Sequence, residues 1–452
     1  MRQADRQHED DAGREASGGD WVRMEAHEPS AKYLAGAQFQ VSEVGLIPLD
    51  WEVIALATRA AIQSGIAKNT NATLRDPISV PYLRVANVQD GYLDLGEVST
   101  IDIERTDLRR YAVLPGDVLM NEGGDLDKLG RGAIWNGQIR SCVHQNHVFV
   151  VRCGQGLIPE YLNAWTSSAQ ARRYFVLAGR QTTNLASINK TSLGELTVAV
   201  PPTEREQHEI AAALTDADAL IDSLEQLLTK KRQIKQGAMQ ELLTGKRRLP
   251  GFGTPWQNCP LNTLANIQRG ASPRPIDDPV WFDDSSAVGW VRISDVTQSG
   301  MFLQATTQRL SEAGIRKSRF VRSGSLIMSI CATVGHPVIT ALDTCIHDGF
   351  VVFDGLVINQ KFLYYALLNI EDDWSQHGQT GSQMNLNTGL INRTSIPVPD
   401  DVDEQAAIAQ VLSDIDTDLT ALEARLTKAR ALKQAMAQAL LTGRIRLVAR
   451  AA

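Results

Sequence analysis

Two ten-residue stretches decide how this chain is organised: QELLTGKRRL at residues 240–249 and QALLTGRIRL at residues 438–447. They lie 198 residues apart, and at the same offset Glu206-Gln207 matches Glu404-Gln405 further upstream. Self-similarity at a fixed offset is the sequence signature of a repeated structural unit. We therefore interpret the chain as two copies of one unit.

The match continues upstream of these stretches, but there it is weaker and interrupted by insertions. Residues 82–85 (YLRV) resemble residues 290–293 (WVRI), and residues 179–185 (GRQTTNL) resemble residues 378–386 (GQTGSQMNL). Each copy therefore combines a variable globular part with a more similar segment that follows it. One framework that is used twice and carries two different recognition parts would produce this contrast.

The more similar segments carry the signals of long helices. Thr203-x-x-Glu206 has the form of a capping box, with Asp401-x-x-Glu404 at the matching place, and Gly245 and Gly443 stand where a glycine would end each helix. Apolar residues recur between these signals at spacings of four and three, as in a coiled coil. The two series are Ile210, Leu214, Ala217, Ile221, Leu224 and Leu228 in the first helix, and Ile408, Leu412, Ile415, Leu419, Leu422 and Leu426 in the second.

Charge predicts how the two helices pair. Both are acidic in their first half and basic in their second half, so an antiparallel arrangement sets acidic halves against basic halves. The same bias complements each helix dipole, which is the alternative explanation. A helix of ~40 residues is about 60 Å long, so an antiparallel pair would hold the two globular parts a fixed distance apart. Two DNA-recognition parts held in this way would recognise two half-sites of a DNA target at a fixed spacing.

The composition is that of an ordinary globular protein, with 43% hydrophobic and 21% charged residues. The sequence has no run of ~18 apolar residues that predicts a membrane span, and no apolar N-terminal stretch that predicts a signal peptide. The five cysteines form neither a CxxC pair nor a zinc-finger spacing, which indicates reduced thiols in the cytoplasm. The net charge of −7 argues mildly against a nucleic-acid binder, although the position of the positive charge decides binding.

Catalytic motifs are missing from the sequence. Gly245-Lys246 is followed by Arg247 and lacks the earlier glycine of a phosphate-binding loop. Neither the Asp/Asn-Pro-Pro-aromatic segment of adenine methyltransferases nor a glycine-rich strand–helix turn for S-adenosylmethionine is present. His144 and His147 are a close histidine pair, for which we expect structural or DNA-facing roles rather than catalysis. The sequence therefore predicts no catalytic residue and no metal site.

These features together resemble the specificity subunits of type I restriction–modification systems. The resemblance rests on EQxxI near each helix start, LLTG at each helix end and the GRQTTNL and GQTGSQMNL loops, all duplicated in the same order over residues 46–447. It implies a non-catalytic subunit that binds double-stranded DNA at a bipartite, asymmetric target. It also implies assembly with two modification subunits and with restriction subunits. No cofactor is expected on this chain, because S-adenosylmethionine, ATP and Mg²⁺ belong to the partner subunits.

We therefore expect an α+β fold with a pseudo-twofold internal repeat: two mixed α/β target-recognition domains separated by two long helices that form an antiparallel coiled coil. The predicted boundaries are a disordered N-terminal tail at 1–45, recognition domains at 46–202 and 251–400, and long helices at 203–250 and 401–447. Within the recognition domains we predict strands at 112–120, 148–151 and 326–330, and helices at 159–168 and 359–368.

Candidate DNA contacts are polar and basic side chains in loops, because these types bond base edges and phosphates. They are Arg84, Asn87, Lys128, Arg131, Arg180, Gln181, Thr182, Thr183 and Asn184 in the first copy, and Arg269, Arg292, Gln379, Ser382, Gln383 and Asn385 in the second. Further basic loop residues are Arg274, Arg316, Lys317 and Arg319. For each of them, a solvated surface residue or a turn-forming side chain is the alternative interpretation.

Three other functions stay open at this point. A stand-alone sequence-specific DNA-binding regulator with two fused half-site readers would bind DNA fully without partners. A structural coiled-coil adaptor would have no nucleic-acid role and would tolerate alanine at the loop residues above. An undetected enzyme would show itself by methylation with the purified chain alone.

Overall fold

The computed structural model describes residues 38–68, 74–124, 129–130, 132–181, 186–377 and 386–447. The chain divides into two compact units. The first unit ends at Asp216 and takes up the chain again at Lys433, and the second runs from Ala217 to Leu432. Each unit therefore consists of a globular part together with stretches of the long helices.

In the first unit, short strands alternate with short helices. The strands are β1 (Phe39–Ser42), β2 (Gly45–Pro48), β3 (Glu52–Ala55), β4 (Ala60–Ser64), β5 (Pro77–Leu83), β6 (Ser99–Glu104), β7 (Val118–Asn121), β8 (Gly123–Gly124), β9 (Gly132–Ile134), β10 (Val143–His144), β11 (Val148–Cys153), β12 (Arg180–Gln181), β13 (Ala186–Ser187) and β14 (Thr197–Val200). The helices are α1 (Arg105–Tyr111), α2 (Pro159–Thr166), α3 (Ala169–Ala178), α4 (Lys190–Gly194) and the long α5 (Glu204–Leu242), which begins in this unit.

An antiparallel sheet with the strand order β4-β11-β7-β9 forms the centre of the first unit. The apolar runs of β7 and β11 are buried, and their alternate residues belong to two different apolar clusters. Met120 and Phe149 pack with Trp165 of α2, whereas Leu119 and Val150 pack in a second cluster. Since successive side chains of a strand point to opposite faces, both faces of this sheet are covered.

The second unit has the same mixed character. Its strands are β15 (Trp256–Pro260), β16 (Asn266–Arg269), β17 (Gly289–Val291), β18 (Phe302–Leu303), β19 (Gln308–Arg309), β20 (Arg319–Val321), β21 (Leu326–Ser329), β22 (Pro337–Thr340), β23 (Thr344–Ile346), β24 (Phe350–Asp354) and β25 (Ser395–Pro399). Its helices are α6 (Leu261–Leu264), α7 (Ile293–Thr297), α8 (Glu312–Lys317), α9 (Gln360–Asn369), α10 (Glu371–His377), α11 (Thr388–Arg393) and the long α12 (Val402–Leu441), which ends in the first unit. The central sheet has the order β16-β24-β21-β22-β18.

The two units repeat one strand arrangement although their sequences differ. β11 pairs antiparallel with β4 and β7 in the first unit, and β24 pairs antiparallel with β16 and β21 in the second. A further sheet in each unit contains a parallel pair, β5 with β10 and β17 with β23. Gly65 and Gly270 follow β4 and β16 at the same place, where a Cβ would overlap the carbonyl oxygen of His144 or His347.

Within the second unit, α5 and α12 pack against each other through a leucine layer, which consists of Leu224, Leu228, Leu419, Leu422 and Leu426. Four ion pairs join the same stretches: Glu225 with Arg430 (2.6 Å), Lys231 with Asp418 (2.8 Å), Arg232 with Glu423 (2.8 Å) and Lys235 with Asp416 (2.6 Å). The pairs progress from Glu225 with Arg430 at one end to Lys235 with Asp416 at the other, so these stretches run antiparallel.

The first two residues of each predicted heptad series have a different role from the leucine layer. Ile210 and Leu214 belong to the main core of the first unit. Ile408 and Leu412 belong to the main core of the second unit. Each globular part is thus built around the beginning of the helix that follows it, which fixes the helix to that part by packing.

Most of the predicted short elements are present, with two corrections. β11 covers the predicted strand at 148–151, β21 ends one residue before 330, α2 ends two residues before 168, and α9 is shifted by one residue from 359–368. The strand predicted over 112–120 begins only at Val118, because Gly116 adopts a φ of 89° in a turn. The capping box of α5 forms only by half. The Thr203 hydroxyl accepts a hydrogen bond from the Glu206 backbone nitrogen (3.3 Å), while the Glu206 carboxylate bonds Arg446 instead of the cap.

Candidate nucleic-acid interface

The first unit gathers two of the predicted DNA-contact loops on one small sheet. β12, which holds Arg180 and Gln181, pairs with β13, and β13 pairs with β8 at Gly123–Gly124. Residues 125–128 follow β8 along the chain, and residues 182–185 lie between β12 and β13. The framework therefore brings together the backbone positions from which both loops start.

Nine predicted contact residues lie outside the described residues: Lys128, Arg131, Thr182, Thr183, Asn184, Gln379, Ser382, Gln383 and Asn385. Their role in DNA binding stays a prediction. The residues that follow the two polar loops are held alike in both units, since Ile188 donates to the Glu122 carbonyl oxygen (2.8 Å) and Leu386 to that of Ile330 (2.9 Å). The two loops therefore return to equivalent places of the framework.

Asn87 supports the turn that carries Arg84. Its side chain is buried, Oδ1 accepts a hydrogen bond from the Arg84 backbone nitrogen (2.9 Å), and Nδ2 donates to the carbonyl oxygens of Asp94 (2.9 Å) and Glu97 (2.8 Å). The amide is thus engaged within the protein. The Arg84 guanidinium is partly exposed, 3.4 Å from the Glu97 carboxylate, so at this turn Arg84 rather than Asn87 remains the candidate for a DNA contact.

The second unit builds the same turn with a different side chain. The buried Asp295 accepts hydrogen bonds from the backbone nitrogens of Arg292 (2.9 Å) and Thr307 (3.2 Å). Arg292 therefore occupies the place of Arg84, and Asp295 that of Asn87. The sequence signal for this supporting role was the polar residue three positions after each arginine.

Three arginines of the second unit lie together, and we call them the arginine cluster: Arg269 at the end of β16, Arg274 in the loop that follows it, and Arg319 at the start of β20. Arg319 Nε donates to the Arg269 carbonyl oxygen (2.7 Å). The end of α8, with the exposed Arg316 and Lys317, precedes Arg319 directly. The structure therefore joins basic residues that the sequence placed in two separate loops.

Two histidines next to these loops, the buried His144 and the half-buried His347, are neutral structural groups. His144 Nδ1 bonds the Val148 carbonyl oxygen (2.7 Å), and burial lowers the pKa of its imidazole. Burial likewise lowers the pKa of His347 to about 4, and its Nδ1 accepts a hydrogen bond from the Gly349 nitrogen (2.9 Å). At neutral pH neither ring adds a positive charge toward DNA.

The repeated sequence motifs form one salt bridge in each unit, a role that the sequence did not reveal. In the first unit, Arg446 binds Glu206 at the start of α5 through Nε and Nη2. In the second unit, Arg248 binds Glu404 at the start of α12 through two hydrogen bonds of 2.6 Å. We call these contacts the helix-end salt bridges. Each connects the beginning of one long helix to the residues just after the other.

The carboxylate side of both helix-end salt bridges is inaccessible to water, with Glu206 1% and Glu404 0% exposed. Burial raises the pKa of Glu206, and the Arg446 guanidinium offsets part of that rise. Each guanidinium also lies over a tryptophan ring, Arg446 over Trp51 (5.7 Å) and Arg248 over Trp256 (5.9 Å). The same three residue types therefore occur together in both units.

Two further properties concern the described part of the chain. There, no group of three or more His, Cys, Asp or Glu side chains is placed so that it could hold a metal ion. In the same part, none of the helices combines the length and the apolar character that crossing a membrane requires.

Comparison with known proteins connects this framework to DNA recognition. The family model described as "Type I restriction modification DNA specificity domain" matches residues 48–236 and 254–429, one match for each copy of the repeat. A protein of Methanocaldococcus jannaschii, named as the specificity subunit of the type I restriction enzyme MjaX, is 24% identical over 428 residues, which cover 90% of this chain and 97% of that protein. The EcoKI specificity subunit of Escherichia coli K12 is 23% identical over 166 residues, 36% of this chain and 35% of that protein.

Solved structures share the fold. The S subunit of a type I restriction–modification system from M. genitalium superposes with a TM-score of 0.54 at 13% identity, over 88% of this chain and 97% of that one. A chain from a study of complex assembly and conformational transition of the type I R-M system gives 0.56 at 17% identity, over 88% and 99%. Together with the two family matches, these likenesses show two recognition domains of mixed α/β structure.

Proposed function

Because this chain belongs to the type I restriction–modification DNA specificity family and is a specificity subunit of that kind, we propose that it reads a bipartite, asymmetric DNA target and positions the modification and restriction subunits on it. The observation that carries the proposal is one framework, present twice, with unlike side chains at equivalent positions. Where the first unit has Glu122 and His147 in contact (2.7 Å), the second has Ile330 and Gly349. Two readers that differ in this way select two different half-sites.

The long helices supply the spacing in this proposal. The leucine layer and the four ion pairs between α5 and α12 support an antiparallel coiled coil. The matched helix-end salt bridges support a pseudo-twofold relation between the copies. A paired spacer of fixed length would fix the number of base pairs between the two half-sites.

The chemistry belongs to the partners in this proposal. Two modification subunits would methylate adenine with S-adenosylmethionine, and restriction subunits would use ATP and Mg²⁺. This chain would supply sequence recognition through the loop residues around β8, β12 and β13 in the first unit and through the arginine cluster in the second. Arg84 and Arg292 would add contacts from the two equivalent turns.

Mapping methylated adenines in genomes with and without this chain tests the proposal. We expect methylation at one two-part sequence motif with an unspecified spacer of constant length, and its complete loss when the chain is deleted. As a control, the deleted strain should regain the same motif when the chain is supplied from a plasmid. Methylation that persists at the motif after deletion would contradict the proposal.

The isolated chain is expected to bind DNA weakly. Its net charge is −7, and we expect partner subunits to supply much of the phosphate neutralisation. We expect dissociation constants of about 10⁻⁴–10⁻⁶ M, the range of non-specific binding, with a shallow dependence on salt. Fluorescence anisotropy with target and scrambled duplexes measures both quantities. Nanomolar, sequence-specific binding by the chain alone would instead favour a stand-alone regulator with two half-site readers.

A further inference from the structure

We propose that Asp348 is a positioning residue that holds Arg269 and Arg274 in the orientation that reads DNA, so that it sets how strictly the second unit discriminates its half-site. This inference rests on the proposed function and adds a specificity determinant to it. Sequence patterns did not indicate Asp348, which lies between a half-buried histidine and a glycine in the turn before β24.

Asp348 contacts both ends of the loop that carries the two arginines. Its Oδ1 accepts a hydrogen bond from Ser272 Oγ (2.7 Å), and its Oδ2 accepts one from Arg274 Nη2 (2.9 Å). Its backbone carbonyl oxygen accepts a hydrogen bond from Arg269 Nε (2.7 Å). One residue therefore fixes two guanidinium groups and the loop between them.

The rest of the arginine cluster supports this arrangement from the other side. Arg319 donates from Nε to the Arg269 carbonyl oxygen (2.7 Å) and from Nη1 to Gln268 Oε1 (2.5 Å). The Arg274 side chain is nevertheless 69% exposed. Its bond to Asp348 uses one nitrogen, so the opposite edge of the guanidinium remains directed to solvent.

The turn that presents Asp348 is packed against aromatic rings and is charged at neutral pH. The neighbouring His347 ring packs against Phe350 (4.7 Å between centroids) and Trp290 (5.8 Å). Burial by itself would raise the pKa of the Asp348 carboxyl, but the Ser272 hydrogen bond and the Arg274 charge together lower it. The carboxylate is therefore ionised when the loop is assembled, and charge-assisted hydrogen bonds are the stronger kind.

The location of Asp348 connects the arginine cluster to the predicted recognition loop. Ile330 donates to the carbonyl oxygen of Gly349, the residue after Asp348 (2.8 Å), and Leu386 donates to the carbonyl oxygen of Ile330 (2.9 Å). Leu386 is the first described residue after the polar loop 378–385. The arginine cluster thus lies next to the point where that loop rejoins the framework.

A fixed guanidinium reads DNA in a way that a mobile one does not. Arginine discriminates guanine by two parallel hydrogen bonds to N7 and O6, which need a defined plane and direction. An arginine that is free to rotate still attracts phosphates, but it contributes little sequence information. Holding Arg274 through a carboxylate therefore converts general attraction into discrimination.

The first unit lacks this arrangement, which makes it an internal control. By the strand register, Asn146 stands at the position of Asp348, and Ala67 at that of Ser272. Neither side chain can supply an ionised acceptor to an arginine. Loss of Asp348 should therefore affect one half of the target and leave the other half unchanged.

Removing a surface acid without a positioning role would have a different effect. Removing a negative charge beside three arginines raises the electrostatic attraction for DNA and leaves sequence preference as it was. The positioning role predicts a loss of discrimination even though the unit becomes more positive. The two interpretations therefore differ in whether specificity changes at all.

The test uses this chain together with its modification subunits in cells, with methylated adenines mapped across the genome. We expect Asp348→Asn to reduce discrimination about tenfold at one or more base pairs of a single half-site, seen as methylation at sites that differ there from the wild-type motif. Ser272→Ala, which changes no charge, should relax the same half-site more weakly. Asp348→Glu should restore part of the discrimination.

The matched control is Asp284→Asn, which makes the same charge change at an exposed residue of the same unit. We expect it to leave the motif unaltered. An unchanged motif with both Asp348→Asn and Ser272→Ala would overturn the inference, and so would relaxation of both half-sites together. Failure of the proposed function is distinguishable, because then the wild-type chain itself would direct no two-part methylation motif.

Discussion

Replacing Arg446 by alanine is expected to destabilise the first unit by about 3–5 kcal/mol, because it leaves a buried carboxylate without its partner. Arg446 Nη2 donates to Glu206 at 2.5 Å, and Nη1 donates to Asp50 at 3.1 Å. Desolvating a charge that has lost its counter-ion costs far more than losing an exposed ion pair. Calorimetry should show the midpoint of thermal unfolding fall by roughly 10 °C.

This loss should depend on pH in a defined direction. Burial raises the folded pKa of Glu206 above its ordinary value of 4.5. The contribution of Glu206 to the free energy of unfolding is therefore present below that value and is lost as the pH rises through the folded pKa. Without Arg446, no guanidinium offsets the effect of burial, and the folded pKa of Glu206 rises further. The difference in stability between wild type and Arg446→Ala should therefore be smaller at pH 5 than at pH 7.

Two controls separate the buried ion pair from other causes. Arg444 lies two residues earlier in the same motif with an exposed side chain, and Arg444→Ala should change the midpoint by no more than about 2 °C. The double variant Glu206→Leu with Arg446→Met should recover most of the loss, because an apolar pair of similar volume replaces buried ions at little cost. A midpoint that Arg446→Ala leaves unchanged would rule out this account of the helix-end salt bridge.

Gly270→Ala is expected to destabilise the second unit by about 3 kcal/mol, since overpacking against backbone has no side-chain rotation to relieve it. A Cβ at this position would overlap the carbonyl oxygen of His347 and would lie 2.7 Å from that of Ile346. Both oxygens belong to the turn that leads to Asp348. Thermal unfolding should shift down by roughly 10 °C, and the loop of the arginine cluster should become more susceptible to proteolysis.

Gly300→Ala provides the comparison for this prediction. A Cβ at Gly300 meets no atom within 4 Å, and the residue is exposed. We expect a change within about 0.5 kcal/mol. If Gly270→Ala were as mild as Gly300→Ala, the close approach between the end of β16 and the His347 turn would not be a constraint on the fold.

The sequence predicted the repeated organisation and the long helices well, because these depend on local signals. Periodic apolar residues and N-terminal caps place helix starts at 203 and 401, and the structure has them at Glu204 and Val402. The predicted helical segments extend to 250 and 447, whereas the helices end at Leu242 and Leu441. Gly245 and Gly443, with φ of 70° and 64°, belong to the turn after each helix.

Side-chain partners were harder to predict, because they depend on contacts between distant residues. Glu206 fits a capping box locally, yet an arginine 240 positions later takes its carboxylate. Asn87 has the right chemistry for a base contact, but the turn around it uses its whole amide group. Asp348 has no local motif, and its role emerges only when β16 and β24 bring Arg269 and Arg274 beside it.

The way in which the end of α12 completes the core of the first unit has a consequence for synthesis on the ribosome. Leu440 and Leu441 pack in the same cluster as Ile210 and Leu214, so the core of the first unit is complete only after the end of α12 has been synthesised. At ~5–20 residues per second, the stretch between Asp216 and Arg446 takes roughly 10 to 50 s to emerge. During that interval the first unit exposes apolar surface. The main core of the second unit lies within residues 217–432, so this unit can fold first.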